Sequence, residues 1–147
     1  NLAGTVDLYD KENGIVIDWK TTSPANVKEK RSSGASQQQI IQVMLYAYGK
    51  AQEGHDVKQV GLAFLPTGGQ ISDMYLELHP YDEQIAIGAL QRLDNVYELL
   101  STVDVEKSPT MWAVIPAVPS RNCNYCPYFR PFSTDLSVAC DGDTESK

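Results

Sequence analysis

Nowhere in the 147 residues is there an apolar run approaching the roughly 18 needed to span a bilayer as a helix, and no basic-then-apolar leader opens the chain. The expectation is a soluble protein of the cytoplasm, or of the host cytoplasm if it is phage-encoded. Cysteine is scarce: three residues, an odd number and too few for a disulfide scaffold, fit a reducing compartment. A glycine-rich phosphate loop, a dinucleotide-binding fingerprint and a Ser/His/Asp arrangement are all missing, which removes the commonest nucleotide-binding and serine-hydrolase readings. No internal repeat or low-complexity tract is visible. Positive charge is also in short supply, with 12 Lys and Arg against 19 Asp and Glu, a net −7. An acidic domain does not hold a polyanion through its whole surface, because phosphate binding rests on neutralisation by Lys and Arg. The exception is a site where carboxylates reach phosphate through a divalent cation, and such a site needs specific residues.

What is present suffices for one core, since the hydrophobic share is 42%. The reading divides the chain into a domain over residues 1–134 and an acidic tail over 135–147. The chain starts at Asn1 with a strand pattern under way at Leu2, so a piece of a longer protein is expected, with part of the domain upstream. Leu2 to Tyr9 and Ile15 to Thr21 alternate with period two around the turn cluster Asp10-Lys11-Glu12-Asn13-Gly14, the pattern of a β-hairpin. Thr22 to Gly34 is polar and reads as a loop. Ser36-Gln37-Gln38-Gln39 has capping-box form and precedes apolar residues at helical spacing, giving a helix of about 17 residues that stops at Gly54. Strands follow at Val57 to Leu65 and Ile71 to His79, and Asp82 caps a second helix running to about Leu100. The expected order is β-β-α-β-β-α. Beyond Lys107, Pro109, Pro116, Pro119, Pro127 and Pro131 break any period, so an irregular cap is expected from residue 108 on.

A four-residue loop, Lys11 to Gly14, fixes the hairpin register. Leu8 then faces Ile17 and Val6 faces Trp19 on the apolar side, while Asp7 faces Asp18 and Thr5 faces Lys20 on the other. Two opposed carboxylates destabilise a hairpin unless a cation, a shared proton or solvent compensates them. Oxygen donors in this arrangement suit a hard divalent ion such as Mg²⁺ or Mn²⁺. Lys20 falls on the same face, where it can orient or activate a water bound to that ion. Asp-x-Lys alone is weak, since both residues are common on the solvent face of any hairpin. Position strengthens it: the tripeptide ends a hydrophobic strand, follows Gly-x-x-Asp, and precedes a capped helix on which Gln42 and Tyr46, four apart, share a face.

Gly4-Thr5-Val6-Asp7, Ile17-Asp18-Trp19-Lys20-Thr21 and Gln42-Val43-Met44-Leu45-Tyr46, in that order, resemble the PD-(D/E)xK nuclease superfamily, in particular its RecB-like and CRISPR-associated exonuclease branch. The resemblance covers roughly residues 2–130. It implies an α/β, restriction-endonuclease-like core in which a mixed sheet is flanked by helices, and a metal-dependent exonuclease acting on DNA in recombination, repair or phage DNA processing. It further implies that Asp7 and Asp18 bind Mg²⁺ or Mn²⁺ with the backbone carbonyl of Trp19, that Lys20 assists the attacking water, and that Gln42 and Tyr46 help place the DNA strand or the catalytic acids. Helicases and recombination proteins are the implied partners. Members of the branch often add a histidine from a helix upstream of the first acid; His55 and His79 do not map onto it and read as surface residues. Two other functions stay open: a nuclease fold that no longer cuts and serves as a DNA-end-binding or assembly module of a helicase–nuclease complex, and an unrelated metal-dependent phosphohydrolase of small substrates.

Cys123-Asn124-Tyr125-Cys126 and Cys140 resemble the C-terminal three ligands of the branch's [4Fe–4S] cluster, with the fourth expected upstream of Asn1; zinc or unligated thiols are the alternatives. Trp112, Tyr125, Tyr128 and Phe129 read as anchors of the cap or as base-stacking groups, and Tyr48 as core. The charge is unevenly spread. Residues 19–34 carry Lys20, Lys28, Lys30 and Arg31 against Glu29, a net +3, whereas 82–106 sum to −5 and 135–147 to −3. DNA is therefore expected to approach only the motif-bearing face.

Overall fold

Asp10 closes the first hairpin. Its carboxylate accepts the backbone N–H of Glu12 at 3.0 Å and of Asn13 at 3.2 Å, and the Asn13 side-chain amide at 2.7 Å. Gly14 ends the turn at φ +69, in the left-handed region, where a Cβ would also meet the Asp56 carbonyl at 2.6 Å. This turn sets β1 (Leu8–Asp10) against β2 (Ile15–Thr22) with Leu8 facing Ile17 and Asp10 facing Ile15, the register the loop length predicts. The computed structural model describes residues 4–103 together with Lys107, Cys123, Tyr125, Cys126, Phe129 and Arg130.

The first strand is shorter than the alternation suggests: Gly4 to Asp7 are not in the ladder. The Asp7 carboxylate itself accepts the Trp19 N–H at 2.9 Å, so a side chain takes the donor that a longer strand would have paired.

Residues 22–34 are a second departure, since they hold a helix, α1 (Pro24–Ser33), where a loop was expected. Its punctuation is complete: Ser23 accepts the Asn26 N–H, Pro24 opens the first turn, Lys30 and Arg31 lie in the last, and Gly34 follows at φ +77 with its N–H on the Lys30 carbonyl. Only Val27 is buried, so no apolar period marks the segment. The next helix, α2 (Gln37–Gln52), starts at the expected capping box, in which Ser36 and Gln39 cap each other's backbone N–H.

Then follow β3 (Gln59–Pro66), a 3-10 turn (Ile71–Asp73), β4 (Tyr75–Pro80) and α3 (Glu83–Thr102). Asp82 accepts the Gln84 N–H ahead of α3. The sheet order is β1-β2-β3-β4, with β2 and β3 parallel and both outer pairs antiparallel, a mixed α/β sheet consistent with the restriction-endonuclease-like expectation. A parallel pair needs a long crossover, and α1 with α2 provides it.

The core lies where that crossover packs on the sheet. Val16, Val60, Leu62 and Phe64 meet Val27, Val43, Met44 and Ala47, with Ala86 from the start of α3. Each large side chain buried here contributes about 1.5–3 kcal/mol. The register places Asp18 beside Leu62 and Lys20 beside Phe64 on this same face. The face that alternation marks as apolar is the more open one: Leu8 and Trp19 are each 40% exposed, while Asp18 is only 4% exposed.

By contact the chain divides into two compact units, Asn1–Ala89 and Leu90–Lys147, and α3 runs across the division. The sheet, α1 and α2 belong to the first. Most of the expected C-terminal cap and all of the tail over 135–147 lie outside the described residues. No described helix is long and apolar enough to cross a membrane.

Candidate active site

Asp18 is a carboxylate inside a hydrophobic wall, and burial of a charge is costly unless it is partnered. Its partner is two residues on. Lys20 Nζ lies 2.8 Å from Asp18 Oδ2, reached from the same face of β2. The contact is ionic without being a directed hydrogen bond, and Oδ2 is a buried oxygen with no hydrogen-bond donor among the described residues. The better-aligned bond of Lys20 goes elsewhere: Nζ donates to Gln42 Oε1 at 2.7 Å, across from β2 to α2. Gln42 Nε2 in turn donates to the Tyr46 hydroxyl at 3.0 Å, one helical turn further along. An ammonium has only donors, so Gln42 must present its oxygen to Lys20, and its amide is then free to point only one way along the chain.

Asp7 enters from the segment ahead of β1. It is exposed, and its Oδ2 is held by the Trp19 N–H, which ties that segment to the β2 residue between Asp18 and Lys20. The six residues singled out from sequence therefore belong to one place: Asp7 bonds Trp19, Asp18 contacts Lys20, and Lys20 reaches Gln42 and through it Tyr46. Gln42 and Tyr46, expected beside the acids, are joined to the lysine by this hydrogen-bonded chain.

The donor set can be tested for a metal. Two carboxylates with an intervening backbone carbonyl are hard oxygen ligands, and the buried Asp18 Oδ2 lacks a hydrogen-bond donor. Among the described residues no group of three or more His, Cys, Asp or Glu side chains forms a closed cage. Hard divalent ions such as Mg²⁺ take one or two carboxylates and keep several waters, so oxygen donors of this kind match their chemistry. The residues fit a hard divalent ion.

Sequence reasoning missed the way Gly4 contributes. A Cβ at Gly4 would lie 2.8 Å from Tyr46 Cε1 and 3.4 Å from Cδ1, so the tyrosine ring rests directly on the Gly4 backbone. It also missed Glu77 on β4, whose Oε2 accepts the Ala35 N–H at 2.8 Å and whose Oε1 lies 2.7 Å from His79 Nε2. This pair fastens the α1–α2 junction. Arg31, one of the basic residues of the stretch over 19–34, is engaged structurally: it donates to the Asp73 carbonyl at 3.1 Å and lies over the Tyr75 ring at 5.6 Å. Lys28 is exposed.

Two other expectations concern different places. His55 tilts against the Tyr9 ring with centroids 4.9 Å apart. In the second unit the Cys126 N–H donates to the Cys123 carbonyl at 2.9 Å, a turn that keeps the two cysteines close along the backbone. Cys140 lies outside the described residues. Compared with known proteins, residues 1–130 match the family model described as the PD-(D/E)XK nuclease superfamily. Neither the curated proteins nor the solved structures gave a match.

Proposed function

The chain belongs to the PD-(D/E)XK nuclease superfamily, and from that premise we propose that it is a Mg²⁺- or Mn²⁺-dependent DNA exonuclease of the RecB-like and CRISPR-associated branch. Its work is phosphodiester hydrolysis during recombination, repair or phage DNA processing, beside a helicase or recombination protein. The observation that carries this reading is the convergence of Asp7, Asp18 and Lys20 around the Trp19 backbone, with Gln42 on the lysine.

Asp7 and Asp18 would hold the ion, together with the Trp19 carbonyl. When bound, a hard divalent cation lowers the pKa of a coordinated water and offsets charge on the scissile phosphate. The Trp19 N–H fixes the orientation of Asp7. Lys20, with one donor committed to Gln42, has others left for the attacking water or a phosphate oxygen. The hydrophobic wall around Asp18 excludes bulk solvent on that side and strengthens each charge interaction. The attacking nucleophile is water. DNA is guided by the basic stretch, with Lys28 and Arg31 its exposed members on α1.

In the intact protein, Cys123, Cys126 and Cys140 contribute to a [4Fe–4S] cluster. The 123–126 turn is compatible with this and equally with zinc.

The test is degradation of end-labelled DNA with Mg²⁺ or Mn²⁺ and with a chelator. Cleavage is expected with the metals only, and is lost in Asp18→Ala and in Lys20→Ala. Undiminished cleavage in both variants would overturn the assignment.

A further inference from the structure

Gly4 opens the Gly-x-x-Asp segment, and a close approach accounts for a glycine there. The Tyr46 ring sits where a side chain would begin, with Cε1 2.8 Å from the position of a Cβ. Real Cβ atoms do not come so near, and the atom in the way belongs to a rigid ring that also packs against the core. Any side chain at position 4 must therefore push the ring.

The displacement would not stay local. The Tyr46 hydroxyl accepts from Gln42 Nε2 at 3.0 Å, and Gln42 Oε1 accepts from Lys20 at 2.7 Å. Losing the hydroxyl contact releases the Gln42 amide from its orientation, and the ammonium then loses its directed acceptor, leaving the off-axis contact with Asp18. The same ring contact joins the segment carrying Asp7 to the helix carrying Gln42. We infer that Gly4 is a positioning residue for Lys20, acting through the Tyr46 ring and the Gln42 amide.

This inference rests on the nuclease reading for its kinetic consequence and on geometry alone for its structural one. In the full chain, Gly4→Ala is expected to lower kcat for DNA cleavage about 10- to 100-fold, the scale of a misplaced catalytic group. KM should stay within about twofold, because the lysine acts after binding. Tyr46→Phe, which keeps the ring and removes only the hydroxyl, should reproduce the fall in kcat. In a Tyr46→Leu background, where no ring remains to be pushed, adding Gly4→Ala should cost nothing further. Equal losses from Gly4→Ala in both backgrounds would overturn the coupling, and so would unchanged kcat or a pure KM effect in Gly4→Ala or Tyr46→Phe.

A readout independent of cleavage separates this from failure of the nuclease reading. The Gln42 side-chain amide resonances, assigned by their loss in Gln42→Ala, should move in both Gly4→Ala and Tyr46→Phe. Unmoved resonances in a folded Gly4→Ala overturn the inference even if the protein cuts DNA. Moved resonances support its structural half even if no cleavage is found.

Discussion

At Asp18 the protein keeps a carboxylate 4% exposed against Val16, Leu62 and the crossover helices, where a neutral side chain would pack at less cost. Desolvating such a pair takes back much of what the lysine contact returns, so the pair adds little net stability. Replacing both partners together, Asp18→Asn with Lys20→Met, is therefore expected to abolish cleavage while leaving unfolding free energy in denaturant within about 1 kcal/mol of the parent, or slightly above it. A loss of several kcal/mol would mean that the ion pair holds the sheet. Asp7 differs, being exposed and already bonded to the Trp19 N–H. Asp7→Asn keeps an acceptor for that N–H but removes the charge. Its melting temperature should not change, while its Mn²⁺ affinity measured by calorimetry falls about 10-fold or more.

At the scale of elements, stability is decided by turns and caps as much as by the core. The Asp10 carboxylate is held below the ordinary range, first by the Asn13 side-chain amide and then by the Asn13 backbone N–H. A carboxylate so depressed stabilises the fold above its unfolded pKa, and that contribution disappears as pH falls through the folded value. Asp10→Ala should accordingly lower the melting temperature at pH 7, and the gap to the parent should close as pH falls below the usual carboxylate range. A gap independent of pH would mean that the turn does not depend on the charge. In α1, Ser23→Ala removes the hydroxyl that accepts the Asn26 N–H and is expected to cost about 1 kcal/mol in denaturant unfolding. That helix was invisible to periodicity because Val27 is its only buried residue, although Ser-Pro at one end and Gly34 at the other spelled out both boundaries. Punctuation was the legible signal there, and hydrophobic period the misleading one. The hairpin register, by contrast, followed from loop length alone, since a one-residue slip would turn Val16 and Asp18 to the other face.

For the whole molecule, a net charge of −7 restricts where a polyanion can lie. The motif residues could be read from sequence because their chemistry demands particular side chains at set spacings. Their burial could not, because it depends on β3 pairing parallel to β2 and on the crossover helices covering Asp18 rather than Ile17. Gly4 illustrates the same limit: its role requires Tyr46, 42 positions away in sequence, to arrive on its backbone. The central claim is that Asp7 and Asp18 hold a divalent ion which Lys20 uses to hydrolyse DNA. The most direct measurement is a Mn²⁺ titration of the parent chain, Asp18→Ala and Lys20→Ala, with DNA cleavage assayed in the same samples. The account predicts that the parent binds and cuts, that Asp18→Ala does neither, and that Lys20→Ala binds without cutting. Cleavage that persists in Asp18→Ala after its Mn²⁺ binding is gone would contradict it.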